Sequence, residues 1–151
     1  MALIGSGVAA GYPNLYEGLP VGGCASRDTT NDTAGPVDCN SAAAKYRLIE
    51  QYQLTAETQD QRCGPHATLS YHHRTDDGFR LALYCFTYNM TVDSCWNLSD
   101  VNDPDRLDCD AHLPGAERVT EVIEGVADGS RCPAVSIVYP RLELTVCVIP
   151  D

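Results

Sequence analysis

Phe79-Arg80-Leu81-Ala82-Leu83-Tyr84-Cys85-Phe86-Thr87-Tyr88 decides the fold. The stretch is aromatic and apolar on both faces, carries a cysteine near its end, and follows Asp77-Gly78, a dipeptide that favours the tight turn of a β-hairpin. With Ala67 to Arg74 before that turn, it reads as one strand of an antiparallel hairpin in or near a core. Later in the chain, Arg141 to Ile149 alternates, with Leu142, Leu144, Val146 and Val148 on one side and Cys147 among them. Tyr139-Pro140 separates that run from Ala134 to Val138, so a second hairpin is predicted.

The cysteines explain why the pattern occurs twice. Eight of them fall in two runs of four, Cys24, Cys39, Cys63, Cys85 and Cys95, Cys109, Cys132, Cys147, with separations of 15, 24 and 22 against 14, 23 and 15. Their neighbours agree: Val37-Asp38-Cys39 is answered by Leu107-Asp108-Cys109, and Cys63-Gly64-Pro65 by Cys132-Pro133. This is an internal duplication, and an even cysteine count at repeated spacing reads as a disulfide framework in an oxidising compartment. Zinc sites built from four thiolates bring close C-x2-4-C pairs, whereas no two cysteines here lie closer than Cys85 and Cys95. Bridges confined to each copy leave nine connectivities. The one that closes only local loops is expected: Cys24 with Cys39, Cys63 with Cys85, Cys95 with Cys109, Cys132 with Cys147.

The segment from Ser41 to Leu54 could start as a helix, since Asn40 or Ser41 could cap Ala42-Ala43-Ala44. Its counterpart Val119-Thr120-Glu121-Val122-Ile123 is β-branched, so Tyr46 to Gln53 is expected to be a strand after at most one helical turn. The fold class is therefore β-rich, all-β or α+β: two tandem disulfide-stapled antiparallel modules, residues 21–90 and 91–151, each ending in a β-hairpin. Halves of this size have marginal cores, and each bridge adds roughly 2 to 4 kcal/mol. Residues 1–20 read as a flexible leader or the remnant of an anchor or signal. Val21-Gly22-Gly23-Cys24 also matches a lipoprotein cleavage box, but Cys24 has the counterpart Cys95, which favours a bridge over a lipid.

Net charge is −11, with nine arginines and the single Lys45 as the basic residues. No basic cluster suits a nucleic-acid partner. Residues 24–88 hold eight acidic and six basic side chains, and residues 93–151 hold twelve and four, so the second copy carries most of the field. A solvated acidic face or a cationic partner would each account for it.

No catalytic signature emerges, and no motif implies a cofactor. His72 and His73 are adjacent and would point to opposite faces of a strand, whereas His66 and His72 could share one; His112 stands alone. The acidic run around Asp100, Asp103, Asp105 and Asp108 is a candidate calcium loop without the EF-hand spacing, and a solvated turn is its plainer reading. Tyr71, Tyr84 and Tyr88, with Trp96 at the junction, are a candidate binding surface, the alternative being core and module interface. Asn31-Asp32-Thr33, Asn89-Met90-Thr91 and Asn97-Leu98-Ser99 match the glycosylation pattern.

Val21-Gly22-Gly23-Cys24, Val37-Asp38-Cys39, Ala44-Lys45-Tyr46-Arg47-Leu48-Ile49, Cys63-Gly64-Pro65 and Leu83-Tyr84-Cys85-Phe86 together resemble the LppU-type family of actinobacterial envelope proteins and the related septum-formation-like domains, in two tandem copies. The resemblance is best over residues 21–88 and looser over 92–151. It implies a small exported domain, lipid-anchored or tethered by a membrane helix, without known activity. The expected function is thus a noncatalytic extracytoplasmic envelope module, secreted or held at the outer face of the membrane. It would bind a protein or envelope component, as an accessory subunit of a membrane complex for example, with no membrane span within residues 1–151. The alternative is an envelope-acting enzyme with a carboxylate or histidine site that no motif exposes.

Overall fold

The computed structural model describes residues 14–26 and 34–150. Ten strands form two antiparallel sheets among these residues: β1 (Cys24–Ser26), β2 (Gly35–Val37), β3 (Tyr46–Gln53), β4 (Leu69–Arg74) and β5 (Arg80–Tyr88), then β6 (Cys95–Asn97), β7 (Asp105–Leu107), β8 (Ala116–Glu124), β9 (Val135–Tyr139) and β10 (Leu144–Pro150). The first sheet runs β2-β1-β3-β5-β4 and the second β7-β6-β8-β10-β9, the same order twice. Three short 3-10 turns, at Ala56–Thr58, Cys109–Ala111 and Gly129–Arg131, are the helical content of the described residues.

The duplication extends to irregularities. In the first sheet Leu48 pairs with Phe86 and Glu50 with Cys85, leaving Ile49 as the extra residue of a β-bulge. In the second, Val119 pairs with Val148 and Glu121 with Cys147, leaving Thr120 at the equivalent place. Bulges redirect side chains and increase local twist, so a bulge kept in both copies gives both sheets the same bend. The turn before β1 exchanges backbone hydrogen bonds with Leu48, as the turn before β6 does with Val119.

All four local disulfides are present: Cys24–Cys39, Cys63–Cys85, Cys95–Cys109 and Cys132–Cys147. The first and third tie the opening strand of each sheet to a loop, and the second and fourth tie the loop before each hairpin to its inner strand. The expected hairpins form, with different turns. At Asp77-Gly78 the chain reverses between Thr75 and Phe79, with Gly78 at φ +92, a value only glycine reaches without strain. The second turn is longer than expected. Leu142 and Glu143 donate to the carbonyls of Tyr139 and Pro140, Glu143 is left-handed at φ +49, and the last strand begins at Leu144 rather than Arg141. Leu142 is buried from the turn instead of from the strand.

The first core is built from Tyr16, Leu19, Ala25, Leu48, Ala82, Tyr84 and Phe86, with Leu69 and Tyr71 packed against it. Tyr16 meets Phe86 at 4.9 Å and Tyr71 at 5.0 Å between ring centroids. Residues 14–20, expected as the end of a flexible leader, are therefore partly core: Tyr16 is 1% exposed because a tyrosine ring finds an aromatic slot above β4 and β5. The other face of β5 is covered as well, with Leu83, Cys85 and Leu54 buried under the Cys63 loop. That two-sided cover matches the apolar character of both faces in the sequence.

The second core reaches across the halves. Trp96, Leu98, Val119, Leu142, Val146 and Val148 pack with Tyr88 and Met90, which come from the end of β5 and just beyond it. Tyr88 lies between Tyr46 and Tyr139, with ring centroids 6.0 Å away on each side. Around this aromatic line the seam is polar. Lys45 Nζ bonds Asp103 at 3.1 Å and Asp105 at 3.4 Å. Burial pulls its pKa down, but the Asp103 hydrogen bond and the charges of Tyr46, Asp103 and Asp105 more than offset this and hold the ammonium above its ordinary value. Arg106 lies 5.7 Å from the Trp96 ring and donates to the carbonyls of Ala44 and Asn89.

Candidate functional site

A cleft of about 470 Å³ opens along this seam, of the size that small ligands occupy. Arg47, Ile49 and Glu50 of β3, the Gly64-Pro65-His66 loop and Thr87 form one wall; Val122, Glu124 and Gly125 at the end of β8, with Leu142, Glu143 and Leu144, form the other. The β3 bulge accounts for the first wall. Strict alternation would send Ile49 and Glu50 to opposite faces, whereas the extra residue lets Arg47, Ile49 and Glu50 all border one space.

Glu50 is held from two sides. Its Oε1 accepts from the Gly64 amide at 3.0 Å and its Oε2 from the Tyr52 hydroxyl. The bond to Glu50 raises the Tyr52 pKa, so the phenol stays a donor. A side chain at position 64 would place its Cβ 3.1 Å from Glu50 Oε1, tighter than ordinary contact, so the small residue lets the loop close on the carboxylate. The second copy has Pro133 at the corresponding place, with no N–H to offer Glu121. The carboxylate cradle thus exists in one copy.

His66 meets Glu143 across the cleft mouth at 3.2 Å, and the two side chains are 53% and 59% exposed. Arg141, beside Glu143 in the long turn, fastens the first-copy loop by donating to the carbonyls of Pro65 at 2.6 Å and Ala67 at 2.8 Å. The side chains of Arg47 and Glu124 have no hydrogen-bond or ion-pair partner among the described residues. The cleft therefore presents an unpaired guanidinium on one wall, an unpaired carboxylate on the other, and Ile49, Val122, Leu142 and Leu144 in the same lining.

The residues singled out from sequence go elsewhere. Tyr84, Tyr88 and Trp96 are 1%, 8% and 0% exposed and Tyr71 is half-buried, so they are core and seam instead of a binding face. Rings of that size gain more by packing than by facing water. The four aspartates do not converge. Asp103 and Asp105 are taken by Lys45, Asp100 accepts from the Asn102 amide, and Asp108 caps the 3-10 turn at Asp110. Among the described residues no group of three or more His, Cys, Asp or Glu side chains gathers as a metal site would require. His72 contacts the Arg80 guanidinium, and partial burial with the charges of Arg80 and Arg74 lowers its pKa. Asn89 is no surface marker: it is 1% exposed and its Nδ2 donates to the carbonyls of Cys39 and Ala44. Asn97 is half-buried, and Asn31 lies outside the described residues.

Sequence reading missed Arg47, Glu50, Glu124 and Glu143 as a group. The available signal was the contrast between Cys63-Gly64 and Cys132-Pro133, one position where otherwise matched copies part. The disulfides are of the kind found in extracytoplasmic proteins, and no helix among the described residues is long and apolar enough to cross a membrane. No family model, no curated protein and no solved structure matches the chain.

Proposed function

We propose that the chain is a noncatalytic module of the extracytoplasmic cell envelope, of the LppU and septum-formation-like type, that binds a protein or envelope component at the seam between its copies. The observation that carries this reading is the seam cleft, a concave space with charged groups that no neighbour neutralises. Arg47 is half-buried, and a partly desolvated guanidinium without a partner favours a ligand that pairs it. The titratable pair in the cleft, His66 and Glu143, is more than half exposed, and Glu143 is the single partner of His66 among the described residues. A general base generally needs a nucleophile within hydrogen-bond reach, so binding fits this geometry better than catalysis.

Site-specific photocrosslinking in a native envelope tests the reading. A probe at Val122, inside the cleft, is expected to give a discrete adduct that a probe at the exposed Asp60, outside the cleft lining, does not. Adducts of equal pattern from both positions, or none from either, would remove it.

A further inference from the structure

Three features of the seam point to one class of ligand. Arg47 is half-buried with a guanidinium that no described residue satisfies, and Glu124 faces the same space from the other sheet without a partner. The two form no ion pair with each other, although both line the cleft. Glu50, on the Arg47 wall, has both oxygens engaged by Gly64 and Tyr52, which fixes it and keeps it from swinging over to Arg47. Ile49, Val122, Leu142 and Leu144 add apolar surface to the same lining.

Unpaired opposite charges with apolar surface in the same lining complement a ligand that is itself dipolar. A simple anion would satisfy Arg47 but meet Glu50, Glu124 and Glu143; a simple cation would leave Arg47 bare; a lone metal ion is far too small for about 470 Å³. We propose that the seam cleft is a receptor for a short peptide with free termini, its carboxylate on Arg47, its ammonium on Glu124 beside Glu143, and an aliphatic side chain against Ile49, Val122 and Leu144. Arg47 is suited to the carboxylate pole because a guanidinium can take it with two parallel hydrogen bonds. The second copy offers no duplicate of the site, since Pro133 replaces the amide that fixes Glu50. This proposal rests on the binding-module reading and adds the ligand class to it.

The test is titration of the isotope-labelled full chain with Ala-Leu-Ala, its N-acetylated form and its C-terminal amide, followed by amide chemical shifts. The free tripeptide is expected to shift Glu50, Gly64, His66 and Gly125, and blocking either end is expected to weaken binding about tenfold. Arg47→Gln should erase the difference between acid and amide, and Glu124→Gln the difference between free and acetylated amine. Glu124 is exposed and Arg47 half-buried, and unchanged spectra without ligand verify that the variants fold. No shifts at millimolar peptide, or equal binding of all three forms to the unaltered chain, would overturn the proposal. Should a chain carrying both Arg47→Gln and Glu124→Gln still crosslink to its envelope partner from Val122 as the unaltered chain does, the binding reading stands and the peptide receptor falls.

Discussion

The side chain of Asn89 donates to the carbonyl of Ala44 at 3.1 Å, and its backbone amide donates to the neighbouring Lys45 carbonyl at 2.9 Å. One residue just past β5 thereby fastens the loop entering β3, on the side where Arg106 of the second half also reaches the Ala44 carbonyl. Removing the amide takes one of two side-chain donors from the Ala44 carbonyl and the side-chain donor from the Cys39 carbonyl, and lost part-buried hydrogen bonds cost stability. Asn89→Ala is expected to lower stability by about 1 to 3 kcal/mol, read as a shift of the urea midpoint at constant slope. A midpoint unchanged from the parent would show that water replaces the amide without loss.

Tyr139 presents the opposite case. Its ring packs against Tyr88, but its hydroxyl is buried without a hydrogen-bond partner among the described residues. Burial, with the nearby Tyr88 and Asp100, pushes its ionisation well above the ordinary tyrosine range. Deleting an unsatisfied polar atom while keeping the ring removes a desolvation cost, so Tyr139→Phe is expected to leave stability equal or raise it by up to about 1 kcal/mol. Calorimetric melting of the two proteins decides; a clear drop for the phenylalanine variant would mean the hydroxyl is bonded.

His72 should make stability depend on pH. Partial burial, then Arg80 and Arg74, lower its pKa in the folded chain below the unfolded value of about 6.5. Above that value the ring is neutral in both states. As pH falls through it, the unfolded chain takes up a proton that the folded chain does not, and stability declines until the folded pKa is reached. Denaturant midpoints at pH 7.5 and 5.5 are expected to fall less for His72→Gln than for the parent. Parallel slopes would remove His72 as the cause.

The disulfides should differ in what their loss does. Cys63–Cys85 pins the Gly64 to His66 loop that forms a cleft wall, whereas Cys24–Cys39 joins the first strand to a loop outside the cleft lining. Replacing either pair by alanine is expected to cost roughly 2 to 4 kcal/mol. Only loss of Cys63–Cys85 should also free Glu50, visible as altered shifts of Tyr52 and Gly64 in the folded variant. Identical spectra at those residues would show that Arg141 alone holds the loop.

Much of this architecture was legible because it is written in local terms. Strand β3 runs over Tyr46 to Gln53 as the β-branched counterpart Val119 to Ile123 suggested, and the four pairings follow from short loops in a doubled unit. Side-chain destinations were less legible. Tyr84 and Trp96 look the same in sequence whether they face water or a neighbouring sheet, and only the packing of the halves settles it. The cleft was hidden for a related reason: Arg47 and Glu143 are 96 positions apart and belong to different sheets. The bulge at Ile49, which turns three neighbouring residues toward one space, breaks the alternation from which faces are read.

Tyr88 and Met90 belong by chain position to the first half and by packing to the second. An excised second half beginning at residue 91 would lose both and uncover Val146 and Trp96, which the intact chain keeps dry. The duplication has therefore ceased to be divisible. What began as two interchangeable copies now behaves as an ordered pair, and expression of the latter copy by itself should yield a protein that self-associates through the surface its sibling once covered.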